Sequence, residues 1–138
     1  MIRPGERIFV DTGAWIALAV VQDPLHTRAR ATWTSMQEAG ARLFVSVPVL
    51  LETFTYLHRK GSLDLADRWW ASLKSVRWLE RVECAPADLD AAMKHLARAD
   101  LHKLSLVDAT SFVLMRRHKL RVAFSFDTHF ATAGFRLV

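Results

Sequence analysis

A single cysteine, Cys84 in RVECAP, excludes an internal disulfide and any cysteine-rich zinc site. No apolar run reaches the ~18 residues that a membrane-spanning helix needs. The six histidines form neither HExxH nor another zinc-ligand spacing. Four prolines and five glycines are scattered as punctuation, so no linker, repeat or low-complexity stretch divides the chain. The opening MIRPGERIFVD has too short an apolar part for a signal peptide and no small-residue cleavage site. The expectation is one cytoplasmic domain over residues 1–138, without a membrane anchor.

What is present is a substantial apolar fraction, 51%, with 24% charged residues, the balance of an ordinary globular protein with a buried core. The formal charge is +5, which suits an anionic partner such as nucleic acid or an acidic protein. Arg7–Val10, Leu43–Val45, a stretch within Val76–Val82, Val122–Phe124 and Phe135–Leu137 read as short strands. Between them lie helical segments: Ala14–Val20; one capped at Asp23-Pro24 and running to about Ala39; one opened by Ser46–Pro48 and closed by Gly61; one capped by Ser62. Pro86 to about Ala99 is expected as a helix with Leu89, Ala92, Met93 and Leu96 on one stripe, and Ser105 to about His118 as another. Strands alternating with helices predict an α/β protein with a parallel sheet covered on both faces. In such sheets ligands bind beyond the carboxyl ends of the strands.

Four acids stand in apolar settings near that edge: Asp11 in IFVDTGAW, Glu52 in VPVLLETFTYL, Asp108 in LSLVDATSF and Asp127 in AFSFDTHF. Each has a local explanation. Asp11 can end a strand in an Asx-turn, Asp127 can cap the segment after it, and Ser105-x-x-Asp108 matches a capping box. Glu52 resists such an explanation, because positions three and four residues away are Pro48, Val49, Thr55 and Tyr56, none of them basic. Buried carboxylates without local partners point to a shared one, and a divalent cation is the simplest. Carboxylates without cysteine favour Mg²⁺ or Mn²⁺ over zinc. Several acids so close together repel, so at least one is expected to hold its proton unusually tightly. Thr12 and Ser125 flank the same region with hydroxyls that can orient a carboxylate or a water.

Other features carry less. Asp11-Thr12-Gly13 spells an aspartic-protease signature, but helical sequence follows it here instead of the β-rich surroundings those enzymes have. His26 and His129 read as structural or solvated. One of the adjacent Trp69 and Trp70 is expected to mark an interface. Arg116-Arg117-His118-Lys119 reads as a solvated helix end that can also hold RNA phosphates.

FVDTGAWIAL, DPLHTRA, VSVPVLLETFTYL, LSLVDATSFVLMRR and FSFDTHFATAGFRLV together resemble the PIN-domain ribonucleases, most closely the VapC-type toxins of toxin–antitoxin pairs. The resemblance spans nearly the whole chain. It implies a three-layer α/β/α sandwich around a short parallel sheet and Mg²⁺- or Mn²⁺-dependent endonucleolytic cleavage of RNA. It also implies dimerisation and inhibition by a small antitoxin whose tail occupies the active-site groove. The family's acidic quartet falls on Asp11, Glu52, Asp108 and Asp127, with Asp11 and Asp108 the principal metal ligands. The family hydroxyl falls on Ser125, and Thr12 takes the small polar position beside the first aspartate. Asp100 stands near the Asp108 block as a possible support outside the four. Two other readings stay open: an RNA-processing nuclease outside any toxin–antitoxin pair, and a non-catalytic α/β domain with one phosphoacceptor aspartate.

Overall fold

The computed structural model describes residues 1–138. Five parallel strands form one sheet in the order β3-β2-β1-β4-β5. They are β1 (Arg7–Val10), β2 (Arg42–Ser46), β3 (Leu79–Val82), β4 (Val122–Phe124) and β5 (Arg136–Leu137). Seven helices flank the sheet: α1 (Thr12–Ala19), α2 (His26–Glu38), α3 (Val47–Lys60), α4 (Leu63–Leu73), α5 (Pro86–Met93), α6 (Leu106–Arg117) and α7 (His129–Thr132). The result is the expected α/β/α sandwich. Ile8, Phe9, Val10, Leu43, Val45, Ala123 and Phe124 are fully buried, which is why these strands are unbroken apolar runs and do not alternate.

The strand order places the site. From β1 the chain moves outward to β2 and β3, then crosses back to lay β4 on the other side of β1. The order in which strands are added therefore reverses between the parallel β1 and β4, where neighbouring connections leave for opposite sides and open a crevice at the carboxyl ends. Val10 pairs with Phe124 there, and the Asp11 amide donates to the Phe124 carbonyl at 3.0 Å. The residues that follow, Asp11 and Ser125, are the floor of that crevice.

Helix starts follow the local chemistry. The hydroxyls of Ser46, Ser62 and Ser105 accept from the amides of Val49, Leu65 and Asp108 at 3.2, 3.0 and 3.0 Å, capping α3, α4 and α6. Gly40, at φ +62, ends the turn after α2 in the left-handed region that glycine tolerates.

Three expectations need correction. Helix α2 begins at His26 and not at Pro24, because the Asp23 carboxylate accepts from the Leu25 amide at 2.8 Å in a turn of its own before the helix. The helix from Pro86 ends at Met93 and gives way to two short 3₁₀ turns, His95–Ala97 and Ala99–Leu101. Of its apolar stripe only Ala92 is inside; Leu89, Met93 and Leu96 are exposed. Periodicity identified an apolar stripe correctly but not the side it faces. Neither adjacent tryptophan stands bare as an interface residue: Trp69 is buried, and the half-buried Trp70 lies under the Arg81 guanidinium, 5.2 Å from the ring centroid.

Candidate active site

Asp11 follows β1 directly and is only 4% exposed. Its Oδ2 accepts from the Ser125 hydroxyl at 3.0 Å, and the Asp127 amide donates to that same Ser125 oxygen at 3.0 Å. This relay ties the ends of β1 and β4 together and presents both aspartates to one space. The Asp11 Oδ1 is buried without any hydrogen-bond partner. Burial, then the nearby Asp108 charge, pushes the Asp11 carboxyl up to about 7, against the opposing pull of the Thr12 amide and the Ser125 hydroxyl.

Asp108 enters from the first turn of α6, held there by the Ser105 cap. Burial also raises its carboxyl, to about 6; Ser105 opposes this, while Asp127 and Glu52 repel the charge and add to it. Asp127 lies on the turn after β4, and its Oδ1 accepts from the His129 amide at 2.9 Å. It thus closes the turn leading into α7, whose N-cap is Thr128, and faces Asp108 as well. Glu52, in the second turn of α3, is half-buried and close enough to Asp108 for their charges to repel. All four acids from the sequence therefore form one electrostatic cluster. Its centre is Asp11, Asp108 and Asp127, and Glu52 stands at the rim.

Glu52 also borders a groove of about 590 Å³ that runs along α3 past Leu51, Tyr56, Arg59 and Lys60. A carboxylate end thus continues into a cationic end on one helix face. The other large cavity, about 480 Å³, is walled by Trp15, Trp33, Trp69 and Trp78 and contains none of the four acids.

The remaining predicted residues divide. Thr12 is buried and its hydroxyl makes no hydrogen bond, so it is free to serve the site. Asp100 is not part of the cluster, because it forms an exposed ion pair with Arg98 at 2.6 Å. His26 is structural, with Nδ1 2.7 Å from the Ala17 carbonyl oxygen. The basic helix end is largely internal hardware: Arg117 forms two hydrogen bonds to Asp88, at 3.0 and 2.9 Å, and Arg116 donates to the Ala133 carbonyl at 2.6 Å.

Two features escaped the sequence. The buried Asp88 partner of Arg117 gave no signal, since nothing in PADLD shows that a residue 29 positions on returns to meet it. His129 was taken as structural or solvated, yet its donor nitrogen, with one oxygen each from Asp108 and Asp127, forms a set of atoms within 4.8 Å of one another. The DTHF spacing, with a histidine two residues after an acid, was the available clue.

An orphaned buried carboxylate oxygen beside two further carboxylates suits a hard divalent cation, which takes oxygen ligands and removes their mutual repulsion. The donor chemistry therefore fits such an ion.

Comparison with known proteins agrees with this geometry. The PIN domain pattern matches residues 8–136. The chain belongs to the PIN domain family. Among curated PIN proteins, the 23S rRNA-specific endonuclease VapC20 of Mycobacterium tuberculosis is 38% identical over 129 residues, covering 93% of this chain and 95% of that one. The crystal structure of M. tuberculosis VapC20, described as a sarcin-ricin loop cleaving toxin, superimposes with a TM-score of 0.82 at 33% identity, covering 93% and 95% of the two chains. DNA-bound VapBC2 from Rickettsia felis shares the fold at a TM-score of 0.71 and 9% identity, with 96% and 97% coverage. The PIN fold of this chain, its parallel sheet and the acidic cluster at its switch point are thus one consistent architecture. No helix is long and apolar enough to cross a membrane.

Proposed function

We propose that this chain, as a single PIN domain over residues 1–138, is a Mg²⁺-dependent endoribonuclease acting as the toxin of a type II toxin–antitoxin pair, with Mn²⁺ as an alternative ion. The observation that carries the reading is the buried Asp11, its Oδ1 unpartnered and its carboxyl raised by burial first and by the neighbouring Asp108 second. Asp11 and Asp108 would hold the ion, with Glu52 and Asp127 completing the set. Bound there, a divalent cation supplies charge neutralisation at a phosphate and acidifies a water molecule for attack on phosphorus.

The chain's own groups do the rest. Ser125 fixes the orientation of Asp11 and, through the Asp127 amide, the turn that carries Asp127. Thr12, with a free buried hydroxyl beside Asp11, is placed to orient a water or a carboxylate. Arg59 and Lys60, at the far end of the groove from Glu52, attract the flanking phosphates.

The identity to an endonuclease specific for 23S rRNA supports ribosomal RNA as the substrate class. A ribosomal RNA substrate supports a cytoplasmic location. A toxin requires a neutralising partner, and the +5 charge suits an antitoxin with an acidic segment. Val47, Leu51, Tyr56 and Leu106 are exposed apolar residues on α3 and at the start of α6, and they support a homodimer whose contact adjoins the Glu52 groove, which Leu51 and Tyr56 also line.

Sequencing of RNA ends after induction, beside an Asp11→Asn control, tests activity and substrate together. Discrete new ends in ribosomal RNA, absent from the control, are expected. Identical end profiles in the two cultures would remove the reading. The lack of a neighbouring reading frame for a DNA-binding antitoxin would favour an RNA-processing nuclease outside such a pair.

A further inference from the structure

The acids are not the only donors facing this space. His129 sits at the start of α7 with its imidazole between two oxygens. On one side, Nε2 is 2.8 Å from the His102 carbonyl oxygen. A carbonyl oxygen only accepts, so Nε2 carries the proton and donates. On the other side, Nδ1 is buried and makes no aligned hydrogen bond, although Asp127 Oδ1 lies 2.9 Å away. That oxygen also accepts from the His129 main-chain amide, and it pairs with Nδ1 when the ring is protonated, so a cation would take the place of that proton.

A ring with one N–H fixed on a backbone carbonyl and the other nitrogen directed at carboxylates is the arrangement of a metal-binding histidine. The carbonyl sets the tautomer and frees the opposite lone pair. Here the fixing carbonyl comes from the turn between the last 3₁₀ segment and α6, whose next residue, Lys103, is held at φ 59. The turn is therefore specifically shaped where it meets the ring. A ring nitrogen of His129, one Asp108 oxygen and one Asp127 oxygen lie within 4.8 Å of one another, and Nδ1 is the nitrogen beside Asp127. Opposite ligands of a cation with bonds of ~2.1 Å stand about 4.2 Å apart. Small side-chain rotations therefore bring all three onto one ion.

We propose that His129 Nδ1 is a direct ligand of the divalent cation held by the acidic cluster, on the side of Asp108 and Asp127, giving a mixed nitrogen–oxygen set that binds Mn²⁺ more tightly than Mg²⁺. Imidazole is a good donor to transition ions, whereas Mg²⁺ takes oxygen ligands and keeps its waters. The assignment rests on the metal-dependent reading above and adds to it a ligand and an ion preference.

Pulsed EPR of the purified full chain loaded with Mn²⁺ tests it, together with Mn²⁺ and Mg²⁺ binding titrations. The wild-type spectrum is expected to carry modulation from a coordinated imidazole nitrogen, a readout that needs no variant. His129→Gln keeps the amide that binds Asp127 and is expected to lose the modulation. Loss of an outer partner alone costs roughly 10–100-fold in metal affinity. Mn²⁺ affinity should therefore fall by about tenfold or more in this variant, and Mg²⁺ affinity by less. Mn²⁺ bound without nitrogen coupling in an RNA-cleaving wild-type protein would overturn the His129 ligand and leave the nuclease reading intact. Nitrogen coupling retained in His129→Gln would do the same. A chain that neither binds Mn²⁺ nor cuts RNA would overturn both.

Discussion

Ser125 Oγ donates to Asp11 Oδ2 at 3.0 Å, joining residues 114 positions apart at the ends of adjacent strands. This bond explains how a buried carboxylate keeps a fixed direction while its other oxygen stays free. Ser125→Ala removes the donor to Asp11 and the acceptor of the Asp127 amide together. Outer partners of metal-binding groups are typically worth about 10–100-fold in metal affinity or activity. RNA cleavage is expected to fall by that order, with a modest loss of stability. Assays at saturating and limiting Mg²⁺ check this; an unchanged rate at limiting Mg²⁺ would contradict the positioning role.

The raised carboxyls make the metal-free protein sensitive to pH. Between 3.8 and about 7, folded Asp11 holds a proton that the unfolded chain releases. Folding stability therefore declines as pH rises through that window. Asp108, raised to about 6, acts in the same direction. A shift of this size for Asp11 corresponds to about 4 kcal/mol at most. In EDTA, thermal melts should show wild type losing stability between pH 5 and pH 8 relative to Asp11→Asn. The variant should melt higher at pH 8 while cutting no RNA. Parallel pH profiles for the two proteins would contradict the account.

Arg117 serves the fold and not the substrate. Its pair with Asp88 has one nearly buried partner, with 8% side-chain exposure, and one half-exposed partner, at 47%. Breaking fully buried pairs costs ~3–5 kcal/mol, and solvent reduces that here. Arg117→Ala is expected to cost roughly 2–3 kcal/mol in urea denaturation, with RNA cleavage per folded molecule unchanged. A stable but inactive variant would instead assign Arg117 to RNA.

Leu51 is 62% exposed on α3. If the proposed homodimer uses this residue, Leu51→Asp shifts the sedimentation coefficient from dimer to monomer without unfolding the chain. A wild-type protein that sediments as a monomer at all accessible concentrations would contradict the dimer.

The sequence exposes some parts of this molecule and hides others, for physical reasons. Strands β1, β2 and β4 were legible because burial on both faces leaves continuous apolar runs, with Asp11 directly after β1 and Asp127 on the turn after β4. The quartet was legible because Glu52 had no basic neighbour at helical spacing, so only a distant partner made sense. In the structure Glu52 is half-buried at the rim and Asp11 is the buried member, so the residue that revealed the cluster is not its centre. The exposure of Leu89, Met93 and Leu96 was not legible because periodicity carries no information about which side of a helix meets the sheet. The Asp88–Arg117 pair and the two contacts of His129 depend on where the chain returns in space, which no local pattern encodes.

RNA cleavage by the four acids depends, on this reading, on a divalent cation. The most direct test is cleavage of purified ribosomal RNA by the purified chain in Mg²⁺, in excess EDTA, and after Mg²⁺ is restored, beside Asp108→Asn. The account predicts discrete fragments with Mg²⁺, none in EDTA, recovery on restoration, and none from the folded variant. Equal cleavage in EDTA, or by Asp108→Asn, would contradict it.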